Sequence, residues 1–165
     1  MVRILLKLLR NVQVMMALSV IWKNPARHGD IPAAYTKAHI ESDSDIYMYP
    51  PNGMTLTKEE RMAGGTSPVL KLQRSLYGLK QAGRLWNNLL HAQLLANGYT
   101  RCKTDLCLYY KREDANIAVV GIYVDDLLAT ATSANMTNEL FTNLKALDVK
   151  DLGVVRKFLG MRVEF

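Results

Sequence analysis

Apolar and polar positions along the chain fall into two periods. From Val2 onward, Leu5, Leu6, Leu8, Leu9, Val12, Met15 and Met16 recur at spacings of three and four. That spacing predicts a helix from about Val2 to Ser19 with a broad buried face. Asn24-Pro25 breaks it, because proline cannot continue a helix. A short strand is expected to end near Asp30, and Pro32 suits the first position of a helical turn over 32–38. Asp45 to Tyr49 reads as a strand stopped by Pro50-Pro51. Residues 52–68, with Gly53, Gly64, Gly65 and Pro68, read as an exposed loop. Val69 to Leu72 is a short strand. Ala82 to Asn97 is a second helix, with Leu85, Leu89, Ala92 and Leu95 at helical spacing and Gly98 as its stop. Leu106 to Tyr110 and Ile117 to Tyr123 alternate as strands, and Leu127 to Thr130 is the return strand of a hairpin. Residues 135–146 form a third helix, and Phe158 to Phe165 a last strand. This mixed order implies an α+β domain, its helices packed on one face of an antiparallel sheet.

With 165 residues, 49% of them apolar, the chain is one domain or a piece of a larger one. It carries enough apolar surface to exclude disorder. No repeat or low-complexity tract is present. The net charge of +6 is unevenly spread. Residues 1–29 sum to +5, 30–66 to −3, 67–112 to +7 and 113–165 to −3. Alternating basic and acidic blocks suit a protein that holds both a polyanion and a divalent cation, and equally an ordinary solvated surface. Two cysteines, Cys102 and Cys107, are too few for a disulfide framework and lack companions for a zinc site. They are expected to be buried or half-buried thiols. Met1 to Trp22 is basic and acid-free, as a mitochondrial presequence is, but its helical spacing favours a structural helix. Lys7 and Arg10 interrupt it, leaving less than the ~20 apolar residues of a membrane span.

Three clusters carry candidate chemistry. In Tyr123-Val124-Asp125-Asp126, two carboxylates lie between apolar β segments, where acidic residues are rare unless a cation compensates them. The other reading is a hairpin turn, although such a turn prefers glycine or asparagine, and neither is present. Asp30, in Gly29-Asp-Ile-Pro-Ala-Ala-Tyr35, is either a third carboxylate or the cap of the helical turn at Pro32. Carboxylates converging from two strand ends would suit magnesium. Ser75 to Trp86 (Ser-Leu-Tyr-Gly-Leu-Lys-Gln-Ala-Gly-Arg-Leu-Trp) opens a helix with Lys80, Gln81 and Arg84 close together. That arrangement suits a phosphate backbone, or a plain loop-to-helix transition.

Taken together, these residues resemble the reverse transcriptases of copia-type retrotransposons. Tyr-Val-Asp-Asp at 123–126 matches the active-site signature of reverse transcriptases. The block 75–86 is similar to that of the copia branch. Asp30 to Tyr35 resembles its first aspartate motif, and Asp151-Leu-Gly153 with Phe158-Leu-Gly-Met161 resembles its closing block. Gly83 stands where many relatives have proline, and Pro32 and Ala33 where lysine and asparagine are frequent. None of these departures touches a carboxylate.

The resemblance implies an RNA-directed DNA polymerase that transfers dNTPs to a primer 3′-hydroxyl through two Mg²⁺ ions, with Mn²⁺ as a substitute. It implies Asp30, Asp125 and Asp126 as catalytic carboxylates, with the carbonyl of Ile31 completing the metal ligands. Tyr35, Gln81 and Tyr123 would meet the nucleotide, with Tyr35 as a gate against ribose. Lys80 and Arg84 would meet nucleic acid. Trp86 is expected in the core. Lys150 is either a surface lysine or a group that helps pyrophosphate leave. The implied partners are an RNA or DNA template-primer and dNTPs, with no membrane. Relatives carry further fingers residues upstream, and a thumb and ribonuclease H downstream. Residues 1–165 are therefore expected to be a palm with part of the fingers, separated from the rest of a polyprotein. Its expected place is a cytoplasmic virus-like particle or the nucleus. The alternative is a truncated remnant, non-catalytic, that keeps the fold and nucleic-acid affinity.

Overall fold

The computed structural model describes residues 2–58 and 68–164. Helix α1 spans Val2–Ile21, close to its predicted bounds. Strand β1 is Arg27–Asp30, followed by a 3-10 turn at Ala34–Lys37. Two-residue strands β2 (Tyr47–Met48) and β3 (Leu70–Lys71) pair antiparallel. Helix α2 is Ala82–Ala96, and β4 is Thr100–Arg101. Then come β5 (Leu108–Glu113), β6 (Asn116–Tyr123) and β7 (Asp126–Ala131). Helix α3 is Ala134–Asn143, capped by the Ser133 side chain, which accepts from the Asn135 N–H. Strand β8 is Lys150–Val154. The predicted final strand is instead a small hairpin, β9 (Lys157–Phe158) with β10 (Met161–Arg162). Leu159 and Gly160 turn it, both at positive φ. Phe165 and residues 59–67, part of the expected 52–68 loop, lie outside the described residues.

Six strands form one antiparallel sheet in the order β4-β5-β6-β7-β1-β8. Its faces follow from strand alternation. Gly121 and Leu128 are register partners, and a Cβ at Gly121 would lie 2.9 Å from the Met15 Sδ. That face therefore receives α1. Gly29 and Leu127 are also partners, and a Cβ at Gly29 would lie 2.6 Å from the Phe141 ring. That face receives α3, and Tyr109 of the same face hydrogen-bonds His91 of α2 at 3.0 Å. The expectation of helices on one face is thus corrected: α1 covers one side, α2 and α3 the other. The near-unbroken burial of β7 explains why, since a strand apolar at successive positions needs cover on both faces.

Val12 and Met15 enter the α1-side core with Ala26, Leu128, Val155 and Phe158, and Met16 packs against it. The side chains of Leu5, Leu6, Leu8 and Leu9 lie outside the described set. In α2 the buried stripe runs through Leu85, Trp86, Leu90 and Leu94. The expected positions Leu89, Ala92 and Leu95 are half-buried or exposed, one residue out of phase. Cys102 is half-buried and Cys107 exposed, correcting the expectation for Cys107. Among the described residues no helix is long and apolar enough to cross a membrane.

The chain divides into two compact units. One combines residues 1–34 and 87–165 and contains the six-stranded sheet. The other is Tyr35–Trp86, with the β2–β3 ladder and a bridge between His39 and Arg74.

Candidate active site

The sheet brings the two aspartate motifs together through its backbone. Asp30 ends β1 and Asp126 begins β7, and the two are direct register partners. The Ile31 N–H donates to the Asp125 carbonyl at 2.8 Å. That bond identifies Asp30 and Asp126 as a non-hydrogen-bonded pair, with Cα atoms about 4.5 Å apart and side chains on one face. The residue following Asp30 is therefore stapled to the turn carrying Asp125. Ala33 immediately precedes the 3-10 turn, so Asp30 is a strand residue and not its cap.

The Val124-Asp125 turn joins Tyr123 to Asp126, which are register partners. Val124 has φ 54° and Asp125 is absent from the positive-φ residues. This is the pattern of a turn that ordinarily takes glycine first. A β-branched residue there is a backbone outlier. The hairpin expected from the flanking strands forms although its turn holds neither glycine nor asparagine.

Two further residues share this face. The Asp126 Oδ1 accepts from His28 Nε2 at 2.8 Å, and both side chains are half-buried. The His28 ring in turn meets Phe158 of β9 edge-on, with centroids 5.3 Å apart. His28 belongs to no motif, and its position two residues before Asp30 was the only available signal. Lys150 of β8 is the register partner of Asp30 on the other side. The row across three strands therefore reads Asp126, Asp30, Lys150. Beside it, a cleft of about 870 Å³ is lined by His28, Asp126, Leu152, Arg156, Lys157 and neighbours.

The donor set fits a hard divalent cation in kind, being carboxylate and carbonyl oxygens on adjoining strand ends. Among the described residues, however, no three His, Cys, Asp or Glu side chains group closely enough to hold a metal ion. Backbone register makes Asp30 and Asp126 neighbours, while the Asp126 carboxylate is drawn to His28. Like charges on facing positions repel, which opposes closer approach.

The remaining predicted residues lie in the Tyr35–Trp86 unit, apart from Tyr123, which is 40% exposed at the end of β6. Tyr35 is half-buried and packs edge-on against Tyr77 at 4.5 Å. Lys80 is exposed and Gln81 half-buried. Arg84 makes a two-pronged pair with Glu41, at 2.7 and 2.9 Å. The Arg84 hydrogen bonds hold the Glu41 carboxyl below its ordinary range and raise the guanidinium. Trp86 is buried, as expected.

Residues 5–165 match the model of the family described as reverse transcriptase (RNA-dependent DNA polymerase). The chain belongs to that family. Among relatives, a Pol polyprotein from transposon TNT 1-94 of Nicotiana tabacum is 33% identical over 136 residues, 81% of this chain and 10% of its own length. A Pol polyprotein from transposon RE1 of Arabidopsis thaliana is 28% identical over 155 residues, 93% of this chain and 10% of its own length. A transposon Ty5-1 protein of Saccharomyces cerevisiae is 33% identical over 135 residues, 81% of this chain and 41% of its own length. This reverse transcriptase segment is thus copia-type and spans about a tenth of the two plant polyproteins. By family it is a nucleotidyltransferase.

Proposed function

We propose that the chain is the palm, with part of the fingers, of an RNA-directed DNA polymerase that adds dNTPs to a primer 3′-hydroxyl. The observation that carries this reading is the Asp30–Asp126 register pair, with the Asp125 turn stapled to Ile31, in a chain of the reverse transcriptase family. Asp30, Asp125 and Asp126, with the Ile31 carbonyl, would hold two magnesium ions. Manganese is an acceptable substitute. Such a metal pair, when bound, stabilises the attacking and leaving oxygens of an in-line displacement at phosphorus.

The chain's own residues then orient and select. Lys150, beside Asp30, balances charge and is suited to protonate departing pyrophosphate. Gln81 and Tyr123 line the nucleotide. Lys80 and Arg84 hold nucleic-acid backbone, Arg84 exchanging Glu41 for phosphate. Tyr35 packs under the sugar and rejects a 2′-hydroxyl, so Tyr35→Ala raises ribonucleotide incorporation relative to deoxynucleotide.

The test is primer extension with magnesium or manganese. It compares this chain with a version extended by the family's flanking segments, and each with its Asp125→Asn variant. The extended protein is expected to polymerise and its variant not to. Residues 1–165 alone are expected to extend primers poorly, because positioning the substrate carries much of the catalysis. An inactive extended protein that still binds primed template would mark a non-catalytic remnant instead.

A further inference from the structure

We infer that His28 is a positioning residue: a latch that holds the Asp126 carboxylate away from Asp30 and so controls how readily the carboxylates gather around a divalent cation. The inference rests on the reading of Asp30, Asp125 and Asp126 as metal ligands and deepens it.

Three observations carry it. The first is a mismatch between backbone and side chains. Asp30 and Asp126 occupy a non-hydrogen-bonded register pair, where facing side chains approach most closely. Yet no metal-holding group of three forms among the described residues. The second is where the Asp126 carboxylate goes. It takes the His28 Nε2 hydrogen bond at 2.8 Å, along the sheet face from Asp30. A hydrogen bond to a charged group is stronger than a neutral one, so this contact competes with a cation for the same oxygen. The third is what packs against His28. Its ring stands edge-on against Phe158, which is 2% exposed, so one side of the donor ring is packed against the core. His28 therefore links Asp126 to Phe158 of the β9–β10 hairpin.

The experiment uses the 165-residue chain, Mn²⁺ alone as probe, and electron paramagnetic resonance to count free ion. His28→Leu keeps an apolar body against Phe158 and removes the donor. His28→Gln keeps an amide N–H at similar reach. Circular dichroism reports whether each variant is folded. His28→Leu is expected to bind Mn²⁺ roughly tenfold more tightly than the parent, about half or more of what one hydrogen bond to a charged group carries. His28→Gln is expected to match the parent. Asp30→Asn in the His28→Leu background should abolish the gain. Unchanged or weaker binding in folded His28→Leu overturns the latch. If that result comes with parent binding that Asp30→Asn still removes, the carboxylate site stands and only the latch falls. Binding indifferent to Asp30 in every background overturns both.

Discussion

Strand β6 ends in a two-residue turn at each end, and the two turns are built differently. Between β5 and β6 the connection is Asp114-Ala115, with Asp114 at φ 51°. Aspartate tolerates that region because its short polar side chain bonds locally. Between β6 and β7 the connection is Val124-Asp125, with Val124 at φ 54°. Valine has no such excuse, since its branched Cβ crowds the backbone there. Val124 is 37% exposed, so deep burial does not hold it in place. Strain of this kind persists when the surroundings fix the backbone, and the Ile31 N–H bond to Asp125 is one such restraint. Local preference is obeyed where the chain only has to reverse. It is overridden at the Val124-Asp125 turn, where the backbone is tied to Ile31.

The contrast is sharpest in activity. In a polymerase-competent protein carrying this segment, Asp125→Asn is expected to slow primer extension about a thousandfold, the scale of losing one aimed electrostatic group from a reaction centre. Asp114→Asn, at the other turn, should stay within about twofold, as surface changes do. Steady-state rates on one template check both, and equal losses would erase the distinction.

A smaller effect separates the two faces that the turns frame. Gly29→Ala drives a methyl to 2.6 Å from the Phe141 ring and should cost ~1–3 kcal/mol, as overpacking does. Gly121→Ala presses on the Sδ of the flexible Met15 side chain, at 2.9 Å, with Leu108 in ordinary contact at 3.5 Å, and should cost less. Urea midpoints rank them, and the reverse order would mean that α1 is held more rigidly than α3.

The smallest expected effect tests the strain itself. Val124→Gly should stabilise the chain by roughly 1 kcal/mol, since relief of left-handed strain (~1–2 kcal/mol) exceeds glycine's added entropy (~0.5–1 kcal/mol). Asp114→Gly should not stabilise. The same denaturation curves decide it: an equal gain at both turns would show that Val124 stores nothing special.

Much of this architecture was legible because it is local. The α1 helix and the β6–β7 hairpin follow from periodicity, and Gly98 as a stop, at φ 81°, from turn chemistry. The pairing of Asp30 with Asp126 was legible only through motif resemblance, because register between β1 and β7 is a long-range property. Three things were hidden. The phase of the α2 stripe slipped because Leu85, Leu89 and Leu90 allow two helical faces, and only packing chooses Leu90. The short β4 and the edge strand β8 carry too few apolar residues to announce themselves. His28 was invisible because a lone histidine acquires meaning only from the strand beside it.

That edge strand has a bearing on how the molecule behaves when concentrated. An outer strand with free amides and carbonyls invites a second copy to add its own strand, the first step towards aggregation. Here β8 is a poor host. Its pairing with β1 is broken by a register shift between Arg27 and Gly29. Gly153, at φ 77°, kinks it, and Lys150 and Asp151 stand exposed along it. The opposite border, β4, is only Thr100–Arg101. Both borders of the sheet thus carry features that discourage intermolecular strand pairing.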